Sequence, residues 1–153
     1  MSLRDKHHLA TSSPSRQAAL RDKQHFATSS ISREHPQLIS SHRDLDVWAV
    51  SMDLVDEVLR RVKAMPREEF DLRRQIKRAA ISIPANVAEG WCRKHRSQAF
   101  QNHVSIAMGS AGELDTELEV CYRNQFLIRE DCREITTMLG RVRPMLRRLH
   151  DSL

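Results

Sequence analysis

Glycine, cysteine and aromatic residues are all scarce in this 153-residue chain: four glycines, three cysteines and 5% aromatics. Sandwiches and barrels draw on turn glycines and on aromatic and β-branched runs, so the shortage argues against them and leaves an all-α protein as the expectation. No window of about 18 apolar residues occurs, which excludes a helix long enough to span a membrane. The first forty residues also lack the apolar stretch of a secretory signal, so a cytoplasmic location is expected. Cys92, Cys121 and Cys132 cannot all pair, and none stands in a C-x-x-C or metal-knuckle spacing. They read as reduced thiols serving as small hydrophobes on helix faces. Neither a Gly-rich phosphate loop nor a Ser-His-Asp order is present, so no cofactor, metal or catalytic residue is assigned.

What the chain does contain is charge: 29% charged residues and a formal net charge of +5. Its distribution is uneven. Residues 3–16, LRDKHHLATSSPSR, return at 20–33 as LRDKQHFATSSISR, differing at three of fourteen positions. Two copies at a seventeen-residue period are too few and too short for a solenoid. The segment is Ser-rich and polar, and residues 1–41 are expected to form a disordered, duplicated tail preceding a bundle domain at 42–153. Six Lys and Arg against three acidic residues give that tail +3 of the +5, leaving +2 for the domain.

Past His42 the apolar spacing becomes helical. Asp44 or Asp46 can cap a first helix with Trp48, Met52, Val55, Leu59 and Val62 on one stripe, ended by Pro66. A second helix, from near Asp71 to a C-terminal cap at Gly90, aligns Leu72, Ile76, Ala79, Ile83 and Val87 and carries Pro84 as a kink site. Ser97 is expected to cap a third helix with Phe100, Val104, Ala107, Ala111, Leu114, Leu118 and Cys121 facing inward. Asp131 opens a fourth, with Ile135, Leu139, Val142, Leu146, Leu149 and Leu153 inward and Pro144 on the opposite side. Four amphipathic helices with short connections predict an antiparallel up-and-down four-helix bundle.

Two surface features stand out. Ser105, Gly109, Gly112 and Thr116 form a small-residue stripe roughly opposite the apolar stripe of the third helix. Two mid-helix glycines cost about 0.8 to 1 kcal/mol each against alanine, so a close helix contact is expected there, either within the bundle or between subunits. Arg73, Arg74, Lys77 and Arg78 on the second helix and Arg93, Lys94 and Arg96 after it put seven cations into 24 positions, with Glu89 the one acid among them. They read either as a solvated face or as a phosphate-binding one, and Arg141, Arg143, Arg147 and Arg148 on the last helix offer a second basic set. No aromatic platform accompanies either set, so base stacking is not expected of them. Glu-x-x-His pairs are absent, which argues against a di-metal bundle site; Asn86, Glu89, Glu113 and Glu117 are read instead as polar groups that fix helix register. Arg96 with His103 and Arg143 with His150 repeat an Arg-x6-His spacing found in some helical ribonucleases. With 20 arginines in 153 residues such pairs also arise by chance.

Residues 78–90, RAAISIPANVAEG, and 107–117, AMGSAGELDTE, occurring in that order, resemble the paired signatures of the small bacterial four-helix-bundle proteins named for intervening sequences of large-subunit ribosomal RNA genes. The resemblance spans about residues 44–153 and implies a left-handed antiparallel four-helix bundle assembling as a ring-shaped homopentamer. The family is similar in turn to the accessory proteins of diversity-generating retroelements, pentamers that bind nucleic acid and a reverse transcriptase. The reading is therefore a non-enzymatic oligomeric bundle that contacts RNA or DNA through its basic faces. The alternatives are a protein-interaction scaffold without nucleic acid and, last, a metal-independent ribonuclease.

Overall fold

The computed structural model describes residues 39–153, so residues 1–38 of the expected tail, both copies of the repeat among them, lie outside the described residues, whereas Ser40 and Ser41 bond to the turn that precedes the first long helix. The described part is all-α: α1 (Asp46–Arg61), α2 (Phe70–Cys92), α3 (Ser97–Arg123) and α4 (Arg129–Asp151), with no strand among the described residues. α1 packs against α2 and α4, and α3 packs against the same two, closing a four-membered ring of neighbours. Alternating direction follows from the pairings. Arg78 meets Glu113 and Asn86 meets His103 across α2 and α3, while Gln101 at the start of α3 donates to the His150 carbonyl near the end of α4. Arg61 at the end of α1 meets Asp131 at the start of α4. The result is the antiparallel up-and-down bundle that the periodicity predicts.

The core is built from the predicted stripes of α2, α3 and α4. Ile76, Ala79, Ile83 and Val87 are buried with all seven inward residues of α3 and with Ile135, Leu139, Val142 and Leu146. Leu149 and Leu153 are only half-buried against the core. Burying aliphatic side chains of this size is worth roughly 1.5 to 3 kcal/mol each, so these stripes supply the main drive for folding.

Local details depart from expectation where the surroundings override the pattern. α1 is rotated in part from its predicted face, although Val55 and Val62 are buried as expected. Val47, Ser51, Leu54, Val55 and Val58 turn inward, while Met52 is exposed and Trp48 and Leu59 lie half-buried at the edges. Ser51 is tolerated inside because its hydroxyl donates 2.6 Å to the Val47 carbonyl. Neither Asp44 nor Asp46 caps α1; Asp44 instead completes a reciprocal cap with Ser41 around a short three-ten turn at His42–Asp44, and α1 starts at Asp46 behind Leu45. Ser97 is the first residue of α3 and makes no capping bond, and α4 begins at Arg129, two residues before Asp131. α2 runs unbroken through the buried ring of Pro84, giving up one helical hydrogen bond, and continues past Gly90 to Cys92.

Gly90 is thus not a cap but a contact. A Cβ there would stand 2.9 Å from Phe100 Cε2, nearer still to Cδ2, and 3.0 Å from His103 Cβ, so only glycine lets α3 come this close. The left-handed turn lies elsewhere, at Gln125 with φ 58°. Phe126 N–H donates to the Cys121 carbonyl and Gln125 N–H to that of Tyr122, a helix stop that links α3 to α4.

Candidate functional site

The seven cations of α2 and its following loop do not form one patch. Arg73 to Arg78 occupy the first turns of α2 and Arg93 to Arg96 follow its end, roughly 20 Å apart along the axis at 1.5 Å per residue. Exposed Ile81 lies on the stretch between them. At the first end Arg73 does not project into solvent as predicted: it folds back and donates to the Met65 and Pro66 carbonyls at 2.7 and 2.5 Å, with its Nε buried and unpartnered. Arg74 pairs with Asp71 at 3.3 Å and Arg78 with Glu113 at 2.9 Å. Lys77 has no carboxylate partner among the described residues. At the other end Arg93 pairs with Glu89 at 3.0 Å, Lys94 sits 3.9 Å over the Trp91 ring, and Arg96 is exposed without an ion pair among the described residues. Exposed pairs of this kind contribute little and exchange readily for other anions.

On α4, Arg143 pairs with Asp115 at 3.0 Å, while exposed Arg141, Arg147 and Arg148 have no ion pair among the described residues. The Arg-x6-His spacings build no unit. His103 turns to Asn86 at 3.3 Å and His150 to Asp151 at 3.2 Å, whereas Arg143 is held by Asp115. No group of three His, Cys, Asp or Glu side chains that could hold a metal occurs among the described residues. None of the described helices is long and apolar enough to cross a membrane.

The small-residue stripe faces outward. A Cβ on Gly109 or Gly112 would meet nothing within 4 Å, and Ser105 and Thr116 are exposed, so no helix among the described residues makes the expected close contact there. The close contact of α3 lies on its α2 flank instead. Ser110 Oγ stands 2.8 Å from Ser82 Oγ, and Asn86 donates to the Ser82 carbonyl and hydroxyl. Of the polar residues predicted to fix register, Asn86, Glu89 and Glu113 have partners. Glu117 has none: it is 7% exposed and both carboxylate oxygens are buried without a hydrogen bond. Burial, reinforced by the neighbouring Glu113, pushes its carboxyl up to about 7 despite the opposing charge of Arg78. Cys121 and Cys132 are buried as predicted and burial raises both thiols, Cys121 to about 12; Cys92 is exposed, contrary to expectation.

Two constellations carry no sequence signal because they join residues distant in the chain. Arg61 fans across from α1 to Glu57, Asp131 and Glu134. Hydrogen bonds from Arg60, and from Arg61 as well, hold the Glu57 carboxyl below its ordinary range. The second is an open groove of about 700 Å³ between the later half of α3 and the early half of α4. Tyr122, Arg129, Arg133 and Thr136 line it, and the Arg129 guanidinium lies 5.8 Å from the centre of the Tyr122 ring. Only the i, i+4 spacing of Arg129 and Arg133 was available to hint at it.

Comparison with known proteins agrees with this architecture. No curated protein matches the chain. Among solved structures, the chain is similar to a protein of unknown function from the S23 ribosomal protein family of Bacteroides thetaiotaomicron, at 24% identity and a TM-score of 0.64, covering 68% of this chain and 97% of the other. At that identity the likeness speaks for the fold alone. The family described as 23S rRNA-intervening sequence protein matches residues 43–148, most of the bundle. The chain belongs to the 23S rRNA-intervening sequence protein family.

Proposed function

We propose that this protein is a non-enzymatic, oligomeric helical bundle, a homopentamer as the family resemblance implies, that binds RNA or DNA phosphates through the basic ends of α2. The observation that carries the reading is electrostatic. Lys77 near one end of α2 and Lys94 and Arg96 past the other keep their charge without a carboxylate partner among the described residues, while Arg73 is turned onto the Met65 and Pro66 carbonyls. A ring of subunits repeats each cluster around its axis, so weak phosphate contacts add through effective concentration. The outward Gly109 and Gly112 stripe supports assembly, since a face with no side chains to clash is open to a neighbouring subunit's helix.

The test is binding of the intact protein to arbitrary RNA and DNA duplexes across a salt series. Affinity should fall steeply with salt, without base preference and without cleavage, because phosphate contacts release counterions and carry no sequence information. Reversing Lys77 and Arg96 together to Glu should lower the slope of log affinity against log salt by about 2 while leaving the mass in solution unchanged. Absence of binding at about 50 mM salt, where electrostatics are exaggerated, would overturn the reading in favour of a protein-interaction scaffold.

A further inference from the structure

We propose that the groove between α3 and α4 binds a nucleoside phosphate, with its base stacked on Tyr122 and its phosphate held by Arg129 and Arg133. This site is separate from the α2 clusters and uses a different chemistry.

Three observations converge on it. The first is the ring. Tyr122, the one tyrosine of the chain, is 41% exposed at the groove wall, and the ring face not covered by the Arg129 guanidinium offers a stacking surface. The second is charge. Asp115 and Glu119 lie in the groove, but Arg143 and Arg123 neutralise them at 3.0 and 2.7 Å. Arg129 and Arg133 remain, and neither has an ion pair among the described residues. Of the acids beside them on α4, Glu134 is drawn to Arg61, and Glu130 and Glu134 line an adjoining recess toward α1 that Arg133 lines as well. The groove lining therefore sets Arg123, Arg129 and Arg133 against Asp115 and Glu119, an excess of one positive charge next to an aromatic face. The third is size, since about 700 Å³ falls within the range of small-ligand sites.

Spacing fits the parts together. Arg129 and Arg133 are one helical turn apart, about 6 Å along α4, and so project on the same side as a pair able to grip one phosphate. With the Arg129 guanidinium 5.8 Å from the Tyr122 ring centre, base and phosphate of one nucleotide can engage both at once. Thr136 adds a hydroxyl for ribose or phosphate. The ligand is either a free mononucleotide or one residue of a single strand; a stacked, paired base inside a duplex has no free face to offer.

The experiment measures binding of a labelled single-stranded ten-residue oligoadenylate to the full chain at low salt, in competition with adenosine monophosphate, adenosine or inorganic phosphate. Adenosine monophosphate should displace it better than either fragment. Displacement only at far higher concentration than unlabelled oligonucleotide assigns the site to single strands, and displacement at similar concentration assigns it to free nucleotide. Tyr122→Ala should weaken single-strand binding at least about fivefold, with Tyr122→Phe near wild type. Arg129→Ala with Arg133→Ala should weaken it and lower the salt slope by about 2. All three side chains are exposed, so these variants should keep the wild-type circular dichroism. Duplex binding should persist in them, and Lys77 and Arg96 reversal should spare the mononucleotide competition, so the two surfaces fail or succeed separately. No binding, unchanged binding by Tyr122→Ala, or displacement by phosphate as effective as by adenosine monophosphate would overturn the proposal.

Discussion

The α2–α3 seam and the α1–α4 seam of the same bundle are held by different physics. Across α2 and α3 the chains approach closely over Gly90, and the Ser82, Ser110 and Asn86 side chains satisfy one another in a narrow space. Across α1 and α4 an arginine, braced by Glu57 on its own helix, reaches out to two carboxylates of α4, Asp131 and Glu134. A seam closed by shape resists salt but not added volume. One closed by charge behaves the opposite way. Glu117 is buried without a hydrogen-bond partner while nearby Arg78 pairs with Glu113, whereas Asp131 at the α1–α4 seam is buried and paired.

The largest effect should come from volume in the tight seam. Gly90→Val places methyl groups where the buried Phe100 ring already stands and should cost roughly 2 to 3 kcal/mol, read by chemical denaturation. A wild-type midpoint for this variant would show that α2 and α3 can part there without loss. Next is pH. Glu117 titrates near 7 in the fold and near 4.5 when unfolded, so the fold binds its proton more tightly. Its stabilisation is complete below about 4.5 and is lost as pH rises through 7, a change of about 2 kcal/mol or less given screening by water near Arg78. Glu117→Gln should flatten that part of the stability profile and leave the protein more stable than wild type at pH 8. Glu57 works in the reverse sense. Its lowered carboxyl gives stability present above its unfolded value of 4.5 and lost on acidification below it, so the α1–α4 seam weakens in acid while the tight one does not.

Arg61→Met should lower the melting temperature by less than Gly90→Val, and the deficit should shrink in about 1 M salt, where charge pairs are screened. Equal deficits at low and high salt would mean the fan acts through packing of its aliphatic stem. Smallest is a gain. Gly109→Ala and Gly112→Ala meet open space and should each raise the stability of the isolated bundle by about 0.8 to 1 kcal/mol through helix propensity alone. A loss at either position would reveal a covering surface present in solution.

Periodicity made the core of three helices legible because a stripe of Ile, Leu, Val and Ala repeats without interruption in α2, α3 and α4. In α1 it misled by a fraction of a turn. Trp48, Met52 and Leu59 are larger than the residues beside them and attract the eye, but Ser51 and Leu54 fit the space, and a serine that bonds its own helix costs nothing inside. Helix ends were legible to within a turn, though not their chemistry. Gly90 reads as a stop from composition and proves to be a notch for a ring ten residues further on. The basic run reads as one patch in a linear string, and helix rise separates it into two. The Arg61 fan bridges about seventy residues of sequence, and the Tyr122 groove exists only once α3 and α4 lie side by side.

The bare outer face of α3 bears on time as well as on assembly. With no side chains over Gly109 and Gly112, water reaches the backbone there unobstructed, and the amide protons are guarded by the helical bonds alone. Their exchange with deuterium therefore reports on the outer face: it is set by the opening of α3 alone while that face is free, and slows further once another body lies against it.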